Sequence, residues 1–177
     1  MSVFGILSNC AAKQLDEVTL RCVQIPLEKE FGALQRFVVR KAAKKSLPLT
    51  LSVEPTTLEV YCDEVMLTFL LESLLEAAFA LPLGGELVLR AVDGGDVVRV
   101  ELLDKRQSLS KDELALVFVP SKNNIAPTGL VGMEYLVAKE IMRLHEDSLL
   151  QRGGRIEARH SEEGVVFLFT LPKRNML

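Results

Sequence analysis

The stretch that decides the fold runs from Asp63 to Ala80 and reads DEVMLTFLLESLLEAAFA. Its leucines recur every three or four residues, the spacing that places side chains on one face of an α-helix. Asp63 stands directly before the first apolar turn, where a carboxylate can accept hydrogen bonds from the amides that begin a helix. The stretch therefore predicts a helix with one buried face, which needs a second layer to pack against.

Strands on either side of this helix can supply that layer. The turn Asp93-Gly94-Gly95-Asp96 separates two alternating segments, Glu86–Val92 and Val97–Leu103, which predicts a β-hairpin. A second hairpin is predicted nearer the C-terminus, with strands Arg155–His160 and Val165–Leu171. The other predicted elements are a helix over Leu27–Lys45, a strand over Leu47–Glu54, an extended piece over Leu58–Cys62, a capping box at Ser110–Glu113 that starts a helix through Phe118, and a helix over Val131–His145. This order predicts a two-layer α/β sandwich with a mixed sheet.

The N-terminal residues are predicted to form a separate segment. Leu7 to Cys22 has a helical pattern, and Pro26 interrupts the chain before the next helix. We therefore divide the chain into an N-terminal helical segment, residues 1–26, and an α/β domain, residues 27–177. The sequence leaves open whether the segment mediates dimerisation, docks onto an upstream domain or covers the sheet or a pocket.

Composition excludes several classes of protein. The 177 residues are 49% hydrophobic and 25% charged, with a net charge of -3, so nothing suggests nucleic acid as a partner. The longest apolar run, Leu114–Val119, is far shorter than the ~20 residues that cross a membrane. We also expect no signal peptide, because no basic stretch precedes the apolar start. Three cysteines without CxxC spacing, at positions 10, 22 and 62, predict reduced thiols in a cytoplasmic protein and no metal centre.

From Leu27 to Pro172 the order of elements resembles the ATPase domain of sensor histidine kinases. This histidine-kinase-like ATPase (Bergerat) fold is shared with gyrase, a heat-shock chaperone family and MutL. The start Asp63-Glu64-Val65-Met66-Leu67 is similar to the family's N-box helix, whose two asparagines face the nucleotide, the second holding magnesium. Their positions fall on Ser73 and Ala77. Because alanine offers no oxygen to a hard cation, the resemblance implies that the magnesium site is dismantled.

A different alignment of this helix stays open. Moving it by one residue would put Glu72 and Glu76 at the two asparagine positions, at the expense of the matches at Leu67 and Ala78. Glu72 and Glu76 could also be imagined as an acid and base pair. Two glutamates spaced by four are more typical of a solvated helix stripe.

The strand Val98–Asp104 resembles the strand that leads into the family's Asp-x-Gly-x-Gly motif. Asp104 matches the aspartate that accepts a hydrogen bond from the adenine amino group, although an aspartate that ends a strand is also an ordinary turn residue. The two glycines are replaced by Arg106 and Ser108. Glycine allows close approach of the backbone, so the resemblance implies that Arg106 directs a long charged side chain at the nucleotide pocket.

The segment Gly129–Val137 is similar to the family's Gly-x-Gly-Leu-Gly-Leu motif, whose following helix cradles phosphate with its amides. Of the three glycine positions only Gly132 is kept, and Glu134 would place a carboxylate where the phosphates lie. The run Gly132–Lys139, with Arg152 to Ile156 downstream, also resembles one branch: the uncharacterised C-terminal domain of Bacteroides-type membrane-anchored sensor proteins.

The resemblance therefore implies a non-catalytic, pseudo-ATPase signalling or interaction domain of a two-component-like sensor system. It would have no catalytic residue, metal or cofactor, and its nucleotide-site positions would be Ser73, Ala77, Asp104, Arg106, Ser108, Gly132 and Glu134. The alternative is an active ATP-dependent histidine kinase domain with a divergent site that uses ATP and magnesium. The expected partner is a signalling protein or a second copy of the chain, without nucleic acid or direct membrane contact. We expect a cytoplasmic location, alone or as the cytoplasmic part of a membrane-anchored sensor.

Overall fold

The computed structural model describes residues 19–118, 138–143 and 156–174, and its helices and strands are numbered here within those ranges. The elements, in chain order, are β1 (Cys22–Pro26), α1 (Leu27–Lys45), β2 (Leu49–Val53), β3 (Glu59–Asp63), α2 (Glu64–Ala80), β4 (Gly85–Asp93), β5 (Val97–Asp104), α3 (Lys111–Leu116), β6 (Ile156–Ser161) and β7 (Gly164–Pro172). Residues 138–143 are also helical.

The main sheet has five strands in the order β2-β4-β5-β7-β6. β2 runs parallel to β4, and the other neighbours are antiparallel. β1 and β3 form a separate antiparallel pair. The predicted mixed sheet is therefore confirmed, and β2 and β6 are its edges.

The core lies between one face of this sheet and the helices. α1 buries Phe31, Leu34 and Val38, and α2 buries a wider face of leucines. The sheet contributes alternate residues of its strands, because successive side chains of a strand point to opposite faces. These inward residues are Leu87 and Leu89 on β4, Val98, Val100 and Leu102 on β5, and Val165, Phe167, Phe169 and Leu171 on β7. This is the predicted two-layer α/β sandwich.

The predicted start of α2 is confirmed. The Asp63 carboxylate accepts a hydrogen bond from the backbone amide of Met66, 3.1 Å away, and another from the amide of Arg21, 2.7 Å away. The capping box at Ser110 and Glu113 is also present, with both of its reciprocal hydrogen bonds. Local side-chain chemistry thus sets both helix starts as the sequence predicts.

The largest difference from the sequence prediction concerns β1. The segment 1–26 was expected to be helical, with a helix from Leu7 to Cys22, but Cys22–Pro26 is a strand paired with β3. Its residues gain their hydrogen bonds from a partner about 40 positions away, which a local helical pattern does not reveal. Residues 1–18 lie outside the described residues, so the helix there and the domain boundary at Pro26 stay predictions.

Two smaller expectations have different outcomes. The short helix was predicted to run through Phe118, but α3 ends at Leu116. The helix expected over Val131–His145 is described only at residues 138–143, which are helical.

The outer face of the sheet carries a small apolar cluster of Leu103, Val166 and Leu168, with Val88 beside it. Next to this cluster lies a carboxylate, Glu101 on β5, which is only 1% exposed.

Three arginines surround the Glu101 carboxylate. Arg90 Nε donates a hydrogen bond to Oε2 over 2.7 Å. Arg99 Nε lies 2.6 Å from Oε1 without hydrogen-bond alignment, and Arg159 Nη2 lies 3.5 Å from the same oxygen. Each of these arginine side chains is at least 40% exposed. The outer face therefore pairs its buried charge with partners that remain in contact with water.

Candidate functional site

The candidate site lies where β5 ends on the helical side of the sheet. Asp104 is the last residue of β5 and follows Val98, Val100 and Leu102 in the inward alternation, so its side chain points to the core side. It is 1% exposed. Burying a carboxylate to this degree is unfavourable unless its oxygens are paired and hydrogen-bonded.

Arg106 supplies most of that pairing. Its backbone amide and its Nε both donate to Asp104 Oδ1, over 2.9 Å and 2.8 Å. Its Nη2 donates to Oδ2 over 2.7 Å, and the arginine side chain is only 4% exposed. The Arg106 side chain, expected to point at a nucleotide pocket, folds back along Asp104.

The same guanidinium reaches two backbone carbonyls on the other side. Nη2 donates to the Ala78 carbonyl near the C-terminal end of α2 over 2.8 Å, and Nη1 donates to the Leu83 carbonyl over 2.7 Å. Carbonyl groups at a helix C-terminus carry partial negative charge, so a cation there is stabilised. Arg106 thus ties the end of β5 to the end of α2.

Gly85 makes room for this arrangement. A Cβ atom at Gly85 would lie 2.7 Å from Arg106 Cγ, and the residue has a φ of +144°, which residues with side chains rarely adopt. The sequence signalled a turn at Gly85 but gave no sign that an arginine stem crosses it.

Gln107 is a site residue that sequence reasoning missed. Its Nε2 donates to Asp104 Oδ2 over 2.9 Å, and the residue is 6% exposed. Its Oε1 makes no hydrogen bond within the described part of the chain. The only available signal was its place within the segment that resembles the Asp-x-Gly-x-Gly motif.

The two asparagine positions of α2 lie in the interior. Ser73 and Ala77 are each 1% exposed. The Ser73 hydroxyl is without a hydrogen-bond partner among residues 19–118, 138–143 and 156–174, and Ala77 contributes only a methyl group. Neither residue supplies a carboxylate or amide oxygen of the kind that magnesium prefers.

Glu72 and Glu76 of α2 lie toward α1 instead. Glu76 forms an ion pair with Lys41, whose ammonium also lies 5.3 Å from the centre of the Phe79 ring. Burial first, and then the neighbouring Glu76 carboxylate, raise the pKa of Glu72, while the charge of Lys41 opposes them. These contacts place Glu72 and Glu76 at the helix–helix contact and not beside Asp104.

Three predicted positions add little to the observed geometry. Ser108 is exposed after the turn that follows β5. Gly132 and Glu134 lie outside the described residues, so their placement stays a prediction.

Metal chemistry has no candidate centre in the ranges described, where His, Cys, Asp and Glu side chains form no group of three suited to an ion. Cys22 and Cys62 are free thiols. Burial, with smaller contributions from Cys22 and Asp63, raises the pKa of the Cys62 thiol far above its ordinary value. Because the thiolate is the reactive form, this shift opposes reactivity at Cys62.

No protein-family model matches the chain, and no curated protein matches it. Solved structures do. The catalytic domain of histidine kinase ThkA is 21% identical, with 86% of this chain and 96% of that one covered and a TM-score of 0.65. Acinetobacter baumannii histidine kinase AdeS is 15% identical, with 92% of this chain and 72% of that one covered and a TM-score of 0.67. ThkA in complex with the response regulator TrrA is 18% identical, with 97% of this chain and 48% of that one covered and a TM-score of 0.68.

The helices and the fold can now be set beside these comparisons. Across the described residues, no helix combines the length and apolar character needed to span a membrane. The TM-scores of 0.65 and 0.67 show that the mixed sheet and its helices superpose on these neighbours. The chain has the histidine-kinase-like ATPase fold, the fold of the catalytic domains of sensor histidine kinases.

Proposed function

We propose that the chain is a non-catalytic, pseudo-ATPase interaction domain of a two-component-like signalling system. The observation that carries the proposal is that hydrogen bonds within the domain occupy both carboxylate oxygens of Asp104. Each carboxylate oxygen accepts two hydrogen bonds, Oδ1 from the amide and Nε of Arg106, and Oδ2 from Arg106 Nη2 and Gln107 Nε2. A carboxylate has about four lone-pair sites, so Asp104 retains no acceptor for an adenine amino group.

Freeing Asp104 would be unfavourable. Its partner Arg106 is 4% exposed and also bonded to two carbonyls. Breaking a buried ion pair costs about 3 kcal/mol or more. If a purine has to break this pair in order to bind, the same free energy weakens its affinity by about two orders of magnitude.

The α2 positions support the same conclusion. Phosphoryl transfer depends on positioning the phosphates and on neutralising their charge with metal ions. Ala77 lacks a ligand oxygen, and the buried Ser73 offers one hydroxyl. These residues fit a magnesium–nucleotide complex poorly, so we derive no catalytic step through one.

A protein partner is the remaining route to a signalling role. Among the structural neighbours, ThkA is seen in complex with the response regulator TrrA. We propose that this chain likewise binds a protein of a cytoplasmic signalling pathway, with its fold serving as a scaffold and not as a kinase.

The test is a calorimetric titration of the purified protein with a non-hydrolysable ATP analogue, with and without magnesium. We expect no heat at protein concentrations able to detect a Kd of ~1 mM. The variant Arg106→Gly should gain measurable binding, because it frees Asp104. Its matched control is Lys105→Gly, which removes the adjacent charged side chain that bonds Glu86 instead. Micromolar, magnesium-dependent binding to the unmodified protein would overturn the proposal.

One observation favours the alternative, an active kinase domain with a divergent site. Ser73 Oγ and Gln107 Oε1 are buried and have no hydrogen-bond partner within the described residues. Buried polar atoms are normally satisfied, and a bound ligand could satisfy these two. Transfer of radiolabelled phosphate from ATP to a histidine-bearing partner domain would establish this alternative, and its absence over hours would count against it.

A further inference from the structure

A cleft with a basic rim lies away from the Asp104 site, between α1 and the edge strand β2. It has a volume of about 560 Å³. One stripe of α1 lines it with Gln35, Arg36, Val39 and Arg40, and β2 contributes Leu49–Leu51. All four α1 side chains are exposed.

On one side, the strand that lines the cleft has no neighbouring strand among the described residues. The Pro48 carbonyl accepts from the Gly85 amide over 2.9 Å, and the Glu54 amide donates to the Leu89 carbonyl over 3.0 Å, so even-numbered residues bond to β4. Peptide groups of successive residues in a strand point to opposite sides. Those of Leu49, Leu51 and Val53 therefore point away from the sheet.

These outward groups are only partly used. Gln35 Nε2 donates to the Leu51 carbonyl over 3.1 Å, and the Leu49 amide donates to the Leu47 carbonyl. For the part of the chain described, the Leu51 amide and the Val53 peptide groups have no such partner. A row of unpaired amides and carbonyls is a template for an added strand.

The rim has a charge that no described acidic side chain neutralises through an ion pair. Arg36 and Arg40 form no ion pair with a described acidic side chain, whereas Arg90, Arg99 and Arg106 each do. Residues spaced by four lie one helical turn apart, with Cβ atoms ~6 Å from each other. Side chains two apart on a strand are separated by ~7 Å. Alternate side chains of an extended peptide therefore have a spacing close to that of the two arginine Cβ atoms.

Between the two arginines lies an apolar contact. Val39 is 63% exposed on the same stripe of α1. A phosphate-bearing ligand would pair with the arginines but leave Val39 and the β2 backbone without partners. An extended peptide uses all three features at once.

We propose that the cleft between α1 and β2 docks an acidic, extended segment of a protein partner, which adds to the sheet as a strand beside β2. This is the β-augmentation mode, in which main-chain hydrogen bonds give affinity and alternate side chains give specificity. The inference deepens the interaction role proposed above and rests on it, because it names the surface that the protein partner would occupy.

The probe is a fluorescein-labelled decapeptide, Gly-Ser-Glu-Val-Glu-Val-Glu-Val-Gly-Ser, titrated with the full chain and followed by fluorescence anisotropy. Two control probes accompany it, one with lysine in place of glutamate and one N-methylated at alternate peptide nitrogens. The test variant is Arg36→Glu/Arg40→Glu. Its matched control is Lys44→Glu/Lys111→Glu, which makes the same change in charge at two exposed positions outside the cleft. Circular dichroism verifies that both variants are folded.

We expect the acidic probe to bind with a Kd below ~1 mM, and the Arg36→Glu/Arg40→Glu variant to weaken binding about tenfold or more. The lysine probe and the N-methylated probe should bind at least that much more weakly, and the control variant should match the unmodified protein.

Four results would overturn the proposal. They are no binding at ~1 mM protein, equal binding of the acidic and lysine probes, equal loss in both double variants, and indifference to N-methylation, which would indicate charge attraction alone. A concentration-dependent dimer in sedimentation that Arg36→Glu/Arg40→Glu dissociates would assign the cleft to a second copy instead. The nucleotide titration reports separately on the proposed function, because nucleotide binding would reject that function without altering peptide binding at β2.

Discussion

β5 carries two buried carboxylates that are held in opposite ways. Glu101 and Asp104 are both 1% exposed and lie three residues apart, so they point to opposite faces of the sheet. Glu101 faces outward and has three arginine partners, whereas Asp104 faces the helices and depends on Arg106 and Gln107.

The difference lies in the surroundings of the cations. Arg90, Arg99 and Arg159 are 41%, 40% and 52% exposed, so each can be rehydrated if Glu101 is lost. The Arg106 side chain is only 4% exposed, so water cannot rehydrate it in the same way. Redundant, partly exposed pairs tolerate the loss of a member, and a single desolvated pair does not. We therefore expect the loss of one outer arginine to be tolerated better than the loss of Arg106.

The largest expected effect is that of Arg106→Met. The variant leaves the Asp104 carboxylate buried with Gln107 as its remaining side-chain donor, and it removes the hydrogen bonds to Ala78 and Leu83. We expect the free energy of unfolding to fall by about 3 kcal/mol in urea denaturation.

The double variant Asp104→Leu/Arg106→Met is the control for that experiment. It removes both charges together, so it should recover more than half of the lost stability. If the single variant loses less than about 1 kcal/mol, Asp104 and Arg106 do not form the desolvated pair described here.

Gly85→Ala is expected to have the next largest effect, about 2 kcal/mol. The new Cβ would lie 2.7 Å from Arg106 Cγ at a φ of +144°, so contact and backbone strain add together. Gly95→Ala is a matched control, because Gly95 also has positive φ, +87°, but open space around its Cβ position. Thermal unfolding should show the larger loss for Gly85→Ala, and the gap should shrink when Arg106 is already Met. Equal losses of stability would mean that Gly85 is required only for its backbone conformation and not for the space it leaves to Arg106.

Single arginine deletions around Glu101 should have smaller effects. Arg90→Ala removes a 2.7 Å hydrogen bond and is expected to cost about 1 kcal/mol. Arg159→Ala removes a 3.5 Å contact from a half-exposed side chain, and we expect less than about 0.5 kcal/mol. Urea midpoints of the two variants check this ranking. A loss near that of Arg106→Met in either variant would contradict the contrast between the two faces.

The smallest effect is expected from Glu72→Gln and depends on pH. Burial and Glu76 raise the pKa of Glu72 in the folded protein above its ordinary value of 4.5, with Lys41 opposing. The folded state therefore holds this proton more tightly than the unfolded chain, and stability falls as pH rises from that ordinary value through the folded pKa. Glu72→Gln removes the cost of ionising this carboxyl in the folded protein. The stability of the variant relative to the unmodified protein should therefore rise with pH between those two pKa values and stay constant above them.

The measurement for Glu72 is the difference in urea midpoint between the two proteins from pH 4 to 7. The other carboxylates titrate in both proteins and cancel in this difference. Because the side chain is only partly buried, the gain should stay below about 1 kcal/mol. A difference that falls with rising pH would reverse the assigned direction.

The helices and hairpins could be predicted because their signals are local. Asp63 caps α2 through an amide three residues on, and the Asp93–Asp96 turn stands between two alternating strands. β1 could not be predicted in the same way. Of its five residues only Ile25 is buried, and its strand conformation depends on pairing with β3.

The contact between Asp104 and Arg106 could not be predicted from the sequence, although both residues were singled out there. The degenerate motif pointed to Asp104 and Arg106, and the structure brings the two together. The direction of the Arg106 side chain depends on the space left by Gly85 and on carbonyl groups at Ala78 and Leu83. Those contacts cross more than 20 positions of sequence. The burial of Glu101 depends in part on Arg159, 58 positions away, so no local pattern could reveal it.

The placement of β7 has a consequence for synthesis on the ribosome. β7 is the last of the described strands along the chain, yet it lies inside the sheet, between β5 and β6. A nascent chain that has emerged only as far as β6 still exposes the edge of β5, and its inward valines and leucine lack their β7 neighbours. The sheet can close only when Pro172 has left the exit tunnel, so a stalled or truncated product would present an open apolar edge of the kind that chaperones bind and that aggregates grow from.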